Sequence, residues 1–217
     1  MPIRAVILDL DGTLVDTAEE IALALNETLA ALGLPVVSLA AATALIGRGV
    51  HSLVDRAAEE VGATADLERA VKMFEASYAR LVGTRAALFP GVRQGLDAMR
   101  AAGLRLGVVT NKPRRFTERL LVHSGIDGFF GAVVAGDDGI RRKPSGDMLA
   151  AAASRMGTRI DETLMLGDSE NDVLAARAAG CRVWCVPYGY NEGRPAESLE
   201  CDRMVDTVLH AARLLAP

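Results

Sequence analysis

Four aspartates, one lysine and a Thr-Asn pair stand out as residues that could do chemistry together. Asp9 and Asp11 are two apart in Asp9-Leu10-Asp11-Gly12-Thr13, so an extended chain turns both to the same side. Asp168 and Asp172 are four apart in Gly167-Asp168-Ser169-Glu170-Asn171-Asp172, again on one side once a helix starts. Between them lie Thr110-Asn111-Lys112-Pro113 and Arg141-Arg142-Lys143-Pro144. Four carboxylates brought together repel unless a cation neutralises them. A donor set made only of oxygen suits a hard ion, and Mg²⁺ is the one expected. A bound Mg²⁺ would in turn attract phosphate. Lys143 offers a compact positive charge for such a group, which the planar fork of Arg does not. The chain holds only 3 Lys against 21 Arg, so each Lys position draws notice.

Each cluster has a plainer explanation when taken alone. Asp9 to Gly12 suits an ordinary strand-to-helix turn. Asp168 and Asp172 suit helix capping and the helix dipole. Thr110 and Asn111 suit a helix cap ahead of a first-turn proline. Arg141 to Lys143 suits a solvated basic loop. Together the first three explanations require a coincidence, because those three clusters all sit at the carboxyl ends of predicted strands.

Those strands are short apolar runs: Ala5–Leu10, Leu104–Thr110, Ala132–Ala135, Thr163–Gly167 and Arg182–Val186. Runs buried on both faces belong to parallel sheets. Helical patterns separate them: Val92–Ala102, Pro113–Ser124 and Asn171–Ala179, each closed by a glycine. Alternating strand and helix predict an α/β fold with a doubly wound parallel sheet. Ligands of such sheets bind outside the carboxyl ends of the strands, where the clusters would converge.

The stretch from about Asp16 to Arg85 breaks the alternation. Thr17 and Glu20 have the spacing of a capping box, and Ile21, Leu25, Leu29 and Leu32 follow at helical intervals. Leu67, Val71, Phe74, Tyr78 and Leu81 repeat the pattern. No strand is predicted here. The reading is an all-helical insertion after the first strand. The division is 1–15 plus 86–217 for the sheet domain and 16–85 for the insertion.

At 217 residues, half of them hydrophobic, the chain can bury a sizeable core. A net charge of −4 leaves no basic footprint for nucleic acid. Cys181, Cys185 and Cys201 form no CxxC, which suits a reducing cytosol and a cytoplasmic location. No His lies near them to complete a metal site. Asp9 interrupts the first apolar run, so no signal peptide is expected. Thr28 to Gly47 lacks charge but contains Gly33 and Pro35, which suits a helix end and a loop better than a membrane span. Met204–Leu215 reads as a final amphipathic helix that packs on the sheet or on a partner, leaving monomer and homodimer both open.

DLDGTLVDT at Asp9–Thr17, TN at Thr110–Asn111, KP at Lys143–Pro144 and GDSEND at Gly167–Asp172 resemble the ordered motifs of the haloacid dehalogenase superfamily. The insertion resembles that family's cap domain. Thr110-Asn111-Lys112-Pro113 and Tyr188-Gly189-Tyr190-Asn191 are similar to bacterial phosphoglycolate phosphatases. The resemblance implies that Asp9 is a nucleophile forming an aspartyl-phosphate. It implies that Asp11 is the acid, then the base, of the two half-reactions. It implies that Thr110 and the Asn111 backbone hold phosphoryl oxygens and that Lys143 offsets charge. Mg²⁺ would be held by Asp9, the Asp11 carbonyl, Asp168 and Asp172. Lys112 is a candidate for positioning the substrate, and Arg48 of Gly47-Arg48-Gly49 for pairing with a substrate carboxylate.

Asp11 argues against dehalogenation, because the family's dehalogenases lack that acid. The implied function is a phosphatase of a small phosphorylated metabolite, 2-phosphoglycolate first. A sugar phosphomutase resembling β-phosphoglucomutase, or another small-molecule phosphatase such as a pyrophosphatase, is the alternative. A signalling receiver domain shares the acidic pocket but carries no such insertion. Ser145-Gly146-Asp147 departs from relatives that carry a second proline after Lys-Pro.

Overall fold

The computed structural model describes residues 2–64 and 66–215. Met1, Ala65, Ala216 and Pro217, which the expected domain spans include, lie outside the described residues.

Strand β1, Ala5–Leu8, is wholly buried and occupies the middle of the sheet. It pairs in parallel with β4, Arg105–Val109, on one side and with β6, Thr163–Gly167, on the other. Beyond β4 lies β5, Ala132–Val134. Beyond β6 lie β7, Arg182–Cys185, and then β8, Arg203–Met204. All of these pairings are parallel, as the apolar runs predict. β1 ends two residues earlier than its run suggests. The chain turns at Leu10, whose carbonyl accepts from the N–H groups of Leu14 and Val15.

The pleat of β1 divides the core. Ala5 and Ile7 face one side with Met148, Leu149, Ala152 and Val173. These come from α7, Asp147–Arg155, and α8, Glu170–Ala179. Val6 and Leu8 face the other side with Leu96, Leu120 and Val208. Those belong to α5, Val92–Ala101, α6, Arg114–His123, and α9, Val208–Leu215. The final helix therefore packs within this chain, against α5. It starts later than the pattern suggests, because Arg203 and Met204 join the sheet edge instead. At the α5–α9 crossing a Cβ on Gly95 would come within 2.7 Å of the Val208 backbone, so only glycine permits that approach.

Between β1 and α5 the chain forms α1, Ala18–Ala31, α2, Leu39–Ala44, α3, Val50–Glu60, and α4, Leu67–Leu81. Leu25, Leu29, Val71, Phe74 and Tyr78 are buried among them. Two strands not anticipated in sequence, β2 at Val15–Asp16 and β3 at Ala87–Leu88, pair antiparallel. They are too short to show a pattern, and they pin the entry and exit of the helical segment side by side.

The expected capping box at α1 does not form. Thr17 is the cap residue, but its side chain makes no capping bond; its hydroxyl donates to Asp11 Oδ1 at 2.7 Å. Glu20 turns inward to Tyr78 and Gly83. The Tyr190 hydroxyl oxygen, from the loop after β7, accepts from the N–H groups of Thr17 and Ala18 instead, at 2.7 and 3.0 Å. Tertiary partners outbid the local motif. Among the described residues no helix is long and apolar enough to cross a membrane.

Candidate active site

The strand order brings the carboxyl ends of β1, β4 and β6 side by side. Asp9, Thr110 and Asp168 follow those ends directly, which is where an open α/β sheet places its ligands.

Asp9, Asp168 and Asp172 are buried, and an oxygen from each lies within 4.8 Å of the others. Lys143 reaches into this cluster. Its Nζ lies 2.9 Å from Asp9 Oδ1 and 2.7 Å from Asp172 Oδ1. Burial works against the charge on Lys143, but Asp172 and Asp9 hold its pKa above the usual lysine value. The basic loop is thus split: Arg141 pairs with Asp147 at the surface, as a solvated loop would, while Lys143 points inward to the carboxylates, as its reading as a compact positive charge requires.

Asp172 serves two ends at once. Its Oδ2 accepts from the Ser169 N–H, the Ser169 hydroxyl and the Asp168 N–H at 3.1, 2.8 and 3.2 Å, a capping box for α8. Its other oxygen faces Lys143. Capping and charge placement, set against each other in the sequence, belong to one side chain.

Asp168 accepts from the Thr13 hydroxyl at 2.7 Å and from the Tyr190 N–H at 2.8 Å. A Cβ on Gly189 would overlap its side chain. Burial, reinforced by the charge of Asp172, pushes the Asp168 carboxyl up to about 7. Burial likewise raises Asp9 well above the usual carboxylate range, with Lys143 only partly opposing it. Three buried carboxyls share one ammonium, so ionising them all together is unfavourable until a further cation offsets the charge. That imbalance and the all-oxygen donor set fit a hard divalent cation.

Asp11 turns away from this cluster. Besides Thr17, its carboxylate accepts from Lys112 Nζ at 2.9 and 3.0 Å. Lys112 is buried rather than a surface helix-start residue. Thr110 and Asn111 do not cap α6, whose cap position is Pro113 itself. The Asn111 side chain instead donates to the carbonyls of Gly47 and Lys143, at 2.9 and 3.0 Å, and accepts from the Lys143 N–H at 3.1 Å. It ties three loops together.

A cavity of about 50 Å³ lies over Asp9, Asp11, Thr110 and Lys112, roofed by Ile46, Val50, Leu53, Phe74 and Tyr78. Arg48 does not line it. Its guanidinium grips Glu192 at 2.6 and 2.8 Å, with the Arg48 side chain half exposed.

A family model described as haloacid dehalogenase-like hydrolase matches residues 6–186. The chain belongs to that family. Within it the chain resembles phosphoglycolate phosphatases. It is 42% identical to the phosphoglycolate phosphatase of Nitrosospira multiformis, over 99% of this chain and 96% of that protein. A solved structure from Haemophilus somnus, described as a predicted phosphoglycolate phosphatase, aligns with a TM-score of 0.88 at 30% identity, covering 98% of this chain and 97% of that one. CbbY of Rhodobacter sphaeroides, solved in complex with phosphate, aligns with a TM-score of 0.80 at 26% identity, over 95% of each chain.

Several residues of the site escaped the sequence reading. Thr13 sits inside the first motif, yet nothing in its spacing signals the bond to Asp168. Tyr78 keeps helical spacing and reads as core. Glu20 reads as half of a capping box, and Glu192 carries no motif at all.

Proposed function

We propose that this phosphoric monoester hydrolase cleaves 2-phosphoglycolate to glycolate and phosphate, using Mg²⁺ and an aspartyl-phosphate intermediate. In this reading residues 16–85 act as a cap over a sheet domain made of 1–15 and 86–217, and the enzyme works in the cytoplasm. The observation that carries it is the opposed placement of the two aspartates. Asp9 faces Lys143 and the acidic cluster, while Asp11 faces the roofed cavity beside Lys112.

The Asp9 carboxylate attacks phosphorus, and the bond from phosphorus to the substrate oxygen breaks. Asp11 gives that oxygen its proton, releasing glycolate. Asp11 then takes a proton from the attacking water, whose oxygen displaces Asp9 and forms phosphate. Dividing one displacement into two lowers each barrier. In this reading Thr110 and the Asn111 N–H hold phosphoryl oxygens, and Lys143 offsets charge beside Asp9. Asp9, the Asp11 carbonyl and Asp168 would hold Mg²⁺, with Asp172 contributing directly or through water. Bound there, Mg²⁺ supplies positive charge opposite the phosphoryl oxygens. The roof of the cavity excludes water during transfer.

A helical cap that must close and exclude water during transfer supports a small ester and hydrolysis as the first reading, with the mutase second. The test is phosphate release from 2-phosphoglycolate, pyrophosphate, hexose phosphates and nucleotides, with and without Mg²⁺. Mg²⁺-dependent preference for 2-phosphoglycolate is expected, with turnover abolished in Asp9→Asn. Near-normal turnover of that variant would remove the covalent mechanism, and preference for another ester would remove the substrate.

A further inference from the structure

Glu20 is fully buried in α1, yet no step of the chemistry uses it. Its two oxygens accept from the Tyr78 hydroxyl at 2.8 Å and from the Gly83 N–H at 2.9 Å. Tyr78, in α4, is thereby held at its far end. Its ring is stacked on Phe74, with centroids 5.6 Å apart, and meets the edge of Phe116 at 5.0 Å. The Lys112 ammonium lies over the Tyr78 ring, 4.6 Å from the centroid. A cation over a buried aromatic face is attracted by the ring's negative quadrupole.

Lys112 is therefore seated by the helical insertion on one side and by Asp11 on the other. It lines the cavity, as does Tyr78. Arg48, the cap residue otherwise suited to an anion, is spent on Glu192. A short substrate whose phosphate lies at Asp9 would place a second anionic group against an otherwise apolar roof, where an unpaired charge is costly. Among the cavity-lining residues Lys112 is the one cation.

We propose that the Glu20–Tyr78 pair aims Lys112 at a carboxylate carried by the substrate, so that preference for an acid-bearing phosphomonoester resides in Lys112 and its aromatic seat. This rests on the phosphatase reading above and assigns the specificity within it. Tyr78 and Glu20 are positioning residues. The insertion contributes to selection through them and not through Arg48.

The test compares 2-phosphoglycolate with ethyl phosphate, which has the same length but lacks the carboxylate. The readout is the ratio of kcat/KM for the two esters, in wild type, Glu20→Gln, Tyr78→Phe and Tyr78→Leu. The ratio should fall about fivefold in Glu20→Gln and Tyr78→Phe, each of which loses one buried hydrogen bond. It should fall about tenfold or more in Tyr78→Leu, which loses the ring face. The fall should lie in KM for 2-phosphoglycolate. The double variant Glu20→Gln/Tyr78→Phe should be no worse than the worse single one, because both break the same link. Tyr78→Phe keeps the ring and its packing, so it remains informative if Tyr78→Leu fails to fold.

Equal slowing of both esters would reduce the pair to a structural role and overturn the proposal. A wild type that prefers neither ester would also overturn it while leaving the phosphatase reading intact. Phosphate release from neither ester, or from any in the wider panel, would overturn that reading and take the proposal with it.

Discussion

Lys143 holds together charges that the fold has forced close. Its side chain is only 1% exposed, and it bridges Asp9 and Asp172. Breaking a buried pair by removing one partner strands the other charge, at a cost of about 3–5 kcal/mol. Lys143→Met should therefore lose turnover and melt at markedly lower temperature. Added Mg²⁺ should restore part of the lost stability, because a cation offsets the same carboxylates. Melting curves with and without the metal check this, and an unchanged melting temperature would show that Lys143 carries no such burden. Since its folded pKa is raised, the ammonium's contribution is complete below the ordinary lysine value of 10.5 and declines only as pH rises through the raised one. A neutral-pH assay therefore reads its full effect. The two buried cysteines are the opposite case. Burial pushes the Cys181 thiol up to about 12 and raises Cys185 as well, so neither offers a ready thiolate.

Loops, more than helices or strands, set the precision of the site. Gly189, after β7, lies so close to Asp168 that a methyl group there would overlap it. Gly189→Ala should displace Asp168 or the loop bearing Tyr190. A displacement of about 1 Å can cost roughly 10²-fold in rate, so kcat should drop by that order while the helices persist by circular dichroism. Retention of full kcat would show that the loop can move aside freely. At this scale the sequence was legible wherever a signal was local. β1, β4, β5, β6 and β7 follow their apolar runs, because burial on both faces demands such runs. Asp9, Asp168 and Lys143 were found through their motifs. The Thr17 and Glu20 spacing does not give a capping box, because that is a local preference of about 1 kcal/mol and tertiary partners, Asp11 for Thr17 and the buried Tyr78 for Glu20, decide otherwise. Glu192 and Tyr78 gave no signal, because their roles depend on residues far away in the chain.

The whole molecule couples an acidic cavity to a helical roof, and a bound cation should stabilise both together. A ligand that binds only the folded state adds about 2.7 kcal/mol at a hundred times its Kd. Mg²⁺ should accordingly raise the melting temperature by several degrees, chelation should reverse the gain, and Asp168→Asn should blunt it. A melting temperature indifferent to Mg²⁺ would set the acidic cluster apart from metal binding.

The central place of β1 also has a consequence for how the protein is made. β1, which Asp9 follows directly, leaves the ribosome well before its neighbour β6, which ends only at residue 167. Asp172 follows later still. The helical segment, whose contacts are mainly its own, can gather before either arrives. Pairing across such separations is slow. A nascent chain thus carries Asp9 long before the lysine and the acids that surround it in the fold have been made, and the buried cluster assembles only after Asp172 has emerged.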